Sequence, residues 1–139
     1  MDKRYSCYCG LYCENCNVKV KVLPAAKALY FAMSETDFGS VAVSLPNGKE
    51  FWAFLKDVAE NWACVSCRDG SGNPGCKVRV CAEGKGVEMC AFCNEYPCEL
   101  IKGFKEGYPG LEDDNALLRD EGWEAWGRLQ DERAEKRGR

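Results

Sequence analysis

Lys85-Gly86-Val87-Glu88-Met89-Cys90-Ala91-Phe92-Cys93-Asn94-Glu95-Tyr96-Pro97-Cys98-Glu99-Leu100 places three cysteines within nine residues, and its reading decides the rest of the chain. Cys90 and Cys93 are two residues apart, the spacing at which a tight turn aims both sulfurs at one metal while backbone N–H groups offset the thiolate charge. The same spacing recurs at Cys13-Glu14-Asn15-Cys16 and at Cys64-Val65-Ser66-Cys67. Between Cys67 and Cys90 lie 22 residues, close to the interval of four-cysteine zinc sites, so Cys64, Cys67, Cys90 and Cys93 are expected to form a tetrahedral site. Cys76 and Cys81 fall inside that loop and Cys98 just beyond it, while Cys7, Cys9, Cys13 and Cys16 cluster at the N-terminus. These offer ligands for a second site. Two four-cysteine sites would leave three of the 11 cysteines over, and the spacing does not say which sulfurs share an ion. Zinc is the expected cofactor. An iron–sulfur cluster, which takes the same ligands, is the alternative.

The remaining composition narrows the chemistry. The chain of 139 residues contains no histidine, which excludes zinc sites of mixed cysteine and histidine ligands, imidazole proton shuttles, and Ser-His-Asp or Cys-His nucleophile pairs. A net charge of −3 and an isoelectric point near 5.1 give no global attraction to phosphate, which makes nucleic acid an unfavoured partner. A small basic face of Lys19, Lys21, Lys77 and Arg79 is all the sequence offers it. Met1-Asp2-Lys3-Arg4-Tyr5-Ser6-Cys7 has no signal-peptide h-region, and Lys or Glu interrupts every apolar run, so a cytoplasmic protein with no membrane span is expected. Disulfides do not persist in a reducing cytosol, and an odd number of cysteines cannot all pair. Metal–thiolate bonding is what remains. Arg68, Lys77, Arg79 and Lys85 are placed to ease the charge of such anionic sites, or are ordinary solvated charges.

Along the chain, the spacing predicts one domain over 1–139: an N-terminal cysteine cluster at 7–16, a helical core at 23–62, a cysteine cluster at 64–98, and a C-terminal helix over about 113–137. The fold class expected is mainly α with irregular metal-stapled loops, a small α+β arrangement being the alternative. Pro24 followed by strong helix formers to Met33 opens a helix. Thr36 to Lys49, with Val41 to Leu45 alternating before Pro46-Asn47-Gly48, reads as a short strand or irregular loop. Phe51, Leu55, Val58 and Trp62 form one stripe of a helix. The glycines of Asp69-Gly70-Ser71-Gly72-Asn73-Pro74-Gly75 make a loop that packing alone would not hold, and which a metal would tie down. A helix is expected over Glu88 to Lys105, broken near Pro97, and a last amphipathic helix puts Leu118, Ala125, Trp126 and Leu129 on one face, with a frayed tail from Arg133.

The ordered blocks Cys9-Gly10-Leu11-Tyr12-Cys13-Glu14-Asn15-Cys16, Cys64-Val65-Ser66-Cys67-Arg68, Cys76-Lys77-Val78-Arg79-Val80-Cys81-Ala82 and Lys85 to Leu100 resemble an uncharacterised family of small cysteine-rich bacterial and archaeal proteins. The resemblance covers most of the chain, including Gly122-Trp123-Glu124-Ala125-Trp126. It implies a metal-bound fold with zinc and no reaction, and Cys7 lies outside its motif. The C-x3-C-x2-C spacing of Cys9, Cys13 and Cys16 also resembles the cluster motif of radical S-adenosylmethionine enzymes, but their barrel needs far more than 139 residues.

The functional expectation is therefore a metal-binding protein with one or two four-cysteine zinc sites that organise the fold, in a regulatory or interaction role and with a protein partner. The alternatives are an iron–sulfur protein for electron transfer or redox sensing, and a small enzyme using a reactive thiolate. No catalytic residue stands out, and the oligomeric state is open.

Overall fold

A computed structural model describes residues 1–137. In chain order the α-helices are α1 (Leu23–Glu35), α2 (Phe38–Ala42), α3 (Gly48–Asn61), α4 (Lys77–Lys85), α5 (Glu99–Lys105) and α6 (Leu111–Lys136). Short 3-10 turns occur at Lys3–Tyr5, Cys13–Asn15 and Cys90–Phe92, and a π-helical turn covers Val18–Val22. Among the described residues there is no strand, only an isolated antiparallel bridge between Ser6 and Tyr12, so the protein is mainly α. The chain divides into two compact units, one made of residues 17–64 and the other of residues 1–16 with 65–139. No helix among the described residues is long and apolar enough to cross a membrane.

In the 17–64 unit, Met33 of α1, Ala42 of α2 and Leu55 of α3 form the core, with Ala26, Tyr30 and Trp52 packed at its edge. The segment read as a short strand or loop is helical in part. Phe38–Ala42 winds into α2, and Ala42 reaches the core only as part of that turn. The aromatic stripe of α3 is half wrong: Leu55 and Val58 are buried, but Phe51 and Trp62 at its ends are exposed. Three short helices cover only the middle of that face. Trp62 instead donates its indole N–H to Asp57 and meets Phe54 edge-on, with ring centroids 5.9 Å apart.

The other unit has two apolar clusters. Val78 and Ala82 of α4, Ile101 of α5, Cys9 and Cys90 form the first. Tyr12, Met89, Ala91, Leu118 and Trp126 form the second. Two expectations fail here. Residues 77–85 of the supposed loop are helical, because Val78 and Ala82 share the face that packs on Ile101. The helix expected from Glu88 begins only at Glu99: Pro97 lacks an N–H and biases the residue before it away from helical angles, so the preceding stretch forms only a 3-10 turn.

The glycine loop, expected to need a metal, is held by hydrogen bonds. Arg79, buried in α4, donates from Nη1 to the carbonyl of Ser71 at 2.8 Å and from Nη2 to that of Asn73 at 3.1 Å, while Ser66 Oγ donates to Asp69. Spent on carbonyls, Arg79 is withdrawn from the basic face that nucleic acid would need.

The C-terminal helix is a hairpin rather than one rod. In an unbroken helix Asp114 and Gln130 would stand about 24 Å apart, yet Gln130 Nε2 donates to Asp114 Oδ2 at 3.0 Å. The chain reverses at Gly122, whose φ of 82° and ψ of −177° suit glycine alone. The halves close over Leu118 and Trp126, and Arg133 pairs with the buried Asp114, so the tail from Arg133 is helical to Lys136 rather than frayed. Gly138 and Arg139 lie outside the described residues. Gly122→Ala is expected to destabilise the protein by about 1–3 kcal/mol, read as a lower midpoint with unchanged slope in urea unfolding.

Candidate metal centre and thiol cluster

Two of the three Cys-x-x-Cys segments fold into the same turn. In the first, Asn15 N donates to Tyr12 O at 2.9 Å and Cys16 N to Cys13 O at 3.0 Å. In the second, Phe92 N donates to Met89 O and Cys93 N to Cys90 O, both at 3.0 Å. Each turn leads with a buried residue, Tyr12 or Met89, that plugs the cluster under α6. The third pair differs: Cys64 ends the 17–64 unit, and Cys67 belongs to the other.

The turn at Cys90–Phe92 delivers its sulfurs to a small cavity of about 20 Å³ lined by Cys81, Cys90, Cys93 and Cys98, together with Lys85 and Tyr96. Each element supplies its ligand for a local reason. Cys81 faces inward from α4, Cys90 and Cys93 bracket the turn, and Cys98 stands at the N-cap of α5. Burial pushes the Cys90 thiol up to about 12, and Cys9, Cys98, Cys93 and Cys81 press it the same way. Lys85 pairs with Glu95 at 2.6 Å, which raises the ammonium's pKa, helped by the nearby Cys93 and Cys81. Among the described residues, no three Cys, Asp or Glu side chains already stand in a geometry that could hold a metal ion. The four thiols surround the space, and an ion would have to draw them inward. Their chemistry fits soft thiophilic metals, and the volume is that of about one water-sized particle.

A second group gathers around Cys7, the cysteine outside the resembled motif. Cys7 Sγ lies 3.5 Å from Cys13 Sγ. Hydrogen bonding with Cys13, Cys67 and Cys9, in that order, holds the Cys7 thiol protonated well beyond the usual thiol range. Cys67 is driven the opposite way, down to about 6. The Cys7 thiol contributes most to this, and the Tyr8 backbone N–H and the charges of Arg79 and Arg68 add to it against the cost of burial. Arg68 is fixed by donating to Ser6 O at 2.9 Å and to Glu88 O at 2.7 Å, with its guanidinium over the Tyr8 ring.

The expected quartet of Cys64, Cys67, Cys90 and Cys93 is thus distributed: Cys90 and Cys93 share a cavity with Cys81 and Cys98, while Cys64 and Cys67 are not in its lining. Cys9 is buried in the first apolar cluster, and Cys76 packs against it from the N-cap of α4. Cys16 is half-buried at the end of the first turn. No disulfide links any of the eleven.

Other residues that position the sulfurs carry no cysteine signal. Buried Asn115 donates from Nδ2 to Cys9 O at 2.9 Å and to Tyr96 Oη at 3.1 Å. Gly10, with φ of 105°, lets the chain pass so close that any Cβ there would overlap the Asn115 amide. Asn15 Nδ2 donates to the backbone and side-chain oxygens of Gln130, at 2.9 and 3.0 Å. The only hint in the sequence is that Asp114, Asn115 and Gln130 are polar in a helix that must bury one face.

Residues 5–103 match the family described as a protein of unknown function, DUF3795. The chain belongs to this family. The match covers every cysteine, from Cys7 to Cys98, and ends within α5, so the hairpin of α6 that seats both turns lies beyond it. No curated protein and no solved structure matches the chain.

Proposed function

We propose that this DUF3795 protein binds a single zinc ion through Cys81, Cys90, Cys93 and Cys98, and that the ion organises its fold for an interaction role rather than catalysis. One observation carries the reading: four thiols from three separate elements surround one cavity of about 20 Å³. An ion there would staple α4, the Cys90–Phe92 turn and the start of α5. A cavity of that size suits one ion better than an iron–sulfur cluster, which needs several times the space. As a +2 charge it would let buried thiols ionise that otherwise keep their protons.

The test is elemental analysis with an absorbance spectrum on protein purified without oxygen. The expected result is about one zinc per chain and no visible band, with the zinc lost in Cys93→Ser and kept in Cys64→Ser. Brown protein containing iron and sulfide, or a metal-free chain, overturns the reading.

A further inference from the structure

We infer that the outer face of α1 docks against α1 of a second copy of this chain, forming an antiparallel helix pair. From Leu23 to Glu35 only Lys27, Ser34 and Glu35, besides Tyr30, carry a charge or a hydroxyl. A helix apolar nearly all round belongs in a core. Its own unit covers one side of it: Met33 is buried with Ala42 and Leu55, and Ala26 and Tyr30 pack at the edge of that cluster. The neighbouring side is bare. Val18, Val22, Ala25, Leu29 and Ala32 follow one another at intervals of four, three, four and three, the spacing of a coiled-coil seam, and all five are exposed. Val18, Val22 and Leu29 are 44%, 51% and 47% exposed, large fractions for aliphatic side chains in a row.

The residues beside the seam choose the occupant. Lys21, Ala28 and Glu35 recur every seven residues along one border, and Lys21 and Glu35 are exposed. Ala26 and Met33 lie on the other border and are taken up by the core of their own unit. A parallel pair sets one border against the other, and the second is already occupied. In an antiparallel pair related by a two-fold axis, each border meets its own counterpart in reverse. With Ala28 nearest the axis, Lys21 of one copy faces Glu35 of the other, and symmetry repeats the contact. The same register sets Leu29 against Ala25 and Val22 against Ala32, so that each layer places a large side chain on a small one. Charge and volume therefore agree on one register, which is the reason to assign the face to a second copy.

The test is sedimentation velocity on the full chain, purified without oxygen and kept reduced so that no disulfide joins two copies. The expected result is a reversible monomer–dimer equilibrium. Leu29→Glu, at an exposed position, should keep the helical circular dichroism and lose the dimer at concentrations where the wild-type protein is half dimeric. Lys21→Glu and Glu35→Lys should each weaken the dimer by about tenfold, because either change sets like charges opposite each other at both contacts. Combining them should restore the wild-type affinity, since the swap rebuilds both pairs with their signs exchanged. A chain that stays monomeric up to about 1 mM overturns the proposal. So does a dimer that survives Leu29→Glu, as one held through the exposed Phe54 and Trp62 of α3 would. Single charge variants without effect, or a double variant as weak as either single one, overturn the antiparallel register. The charge series decides the matter even if Leu29→Glu fails to fold.

Discussion

Stripping the zinc proposed for the quartet of Cys81, Cys90, Cys93 and Cys98 is expected to cost the unit that contains it most of its stability. Structural zinc contributes apparent binding free energies of about 10–16 kcal/mol in small zinc-dependent peptides, as much as or more than the roughly 5–15 kcal/mol that holds an ordinary domain together. The elements it would join have little else in common: α4 and α5 meet through Val78, Ala82 and Ile101, and the segment between them forms a single 3-10 turn. A strong chelator at pH 7 should therefore abolish the cooperative thermal transition of this unit and reduce its helical circular dichroism. Zinc, but not magnesium, should restore both. Acidification should act in the same direction, because protons compete with zinc for the thiolates, and stability should recover on raising the pH with zinc present. A transition unmoved by chelation of a zinc-containing sample would remove the structural role.

Trp126→Ala is the second large effect, expected at about 3–5 kcal/mol. The indole is fully buried between Tyr12 and Trp123, edge-on to both with centroids at 5.8 and 5.7 Å, and closes the cluster with Met89 and Leu118. Both Cys-x-x-Cys turns plug into that cluster, through Tyr12 and Met89, so the cavity left behind should also loosen the sulfurs. Among the described residues the Trp126 Nε1–H has no hydrogen-bond partner, so Trp126→Phe gives up packing without orphaning an acceptor and should cost clearly less than alanine. Urea unfolding of the three proteins measures the order. Equal losses for Phe and Ala would show that the shape of the indole, rather than the volume it fills, is what matters.

Much of this was legible in the residues. Helix formers after Pro24 and the apolar pair Leu55 and Val58 mark α1 and α3, because local propensity and periodicity agree there with burial. The cysteine blocks stand out as well, since 11 cysteines in 139 residues fall into two dense clusters. The hairpin in α6 was not legible: Gly122 looks like a tolerated helical glycine until Asp114 is seen to meet Gln130. Nor was the helix at Lys77–Lys85, whose apolar face makes sense only against Ile101.

By itself the sequence determined that this is a thiol-rich, histidine-free, mainly helical protein, because composition and short-range spacing are properties of the chain alone. Which sulfurs meet was decided only by the tertiary structure. Cys81 and Cys98 join Cys90 and Cys93 because α4 and α5 pack through Val78, Ala82 and Ile101. The segment of Cys67 is tied to the N-terminal stretch because Arg68 donates to the carbonyl of Ser6. Partnerships between residues far apart in the chain depend on long-range packing, and the regular two-residue spacing of each local pair carries no record of it.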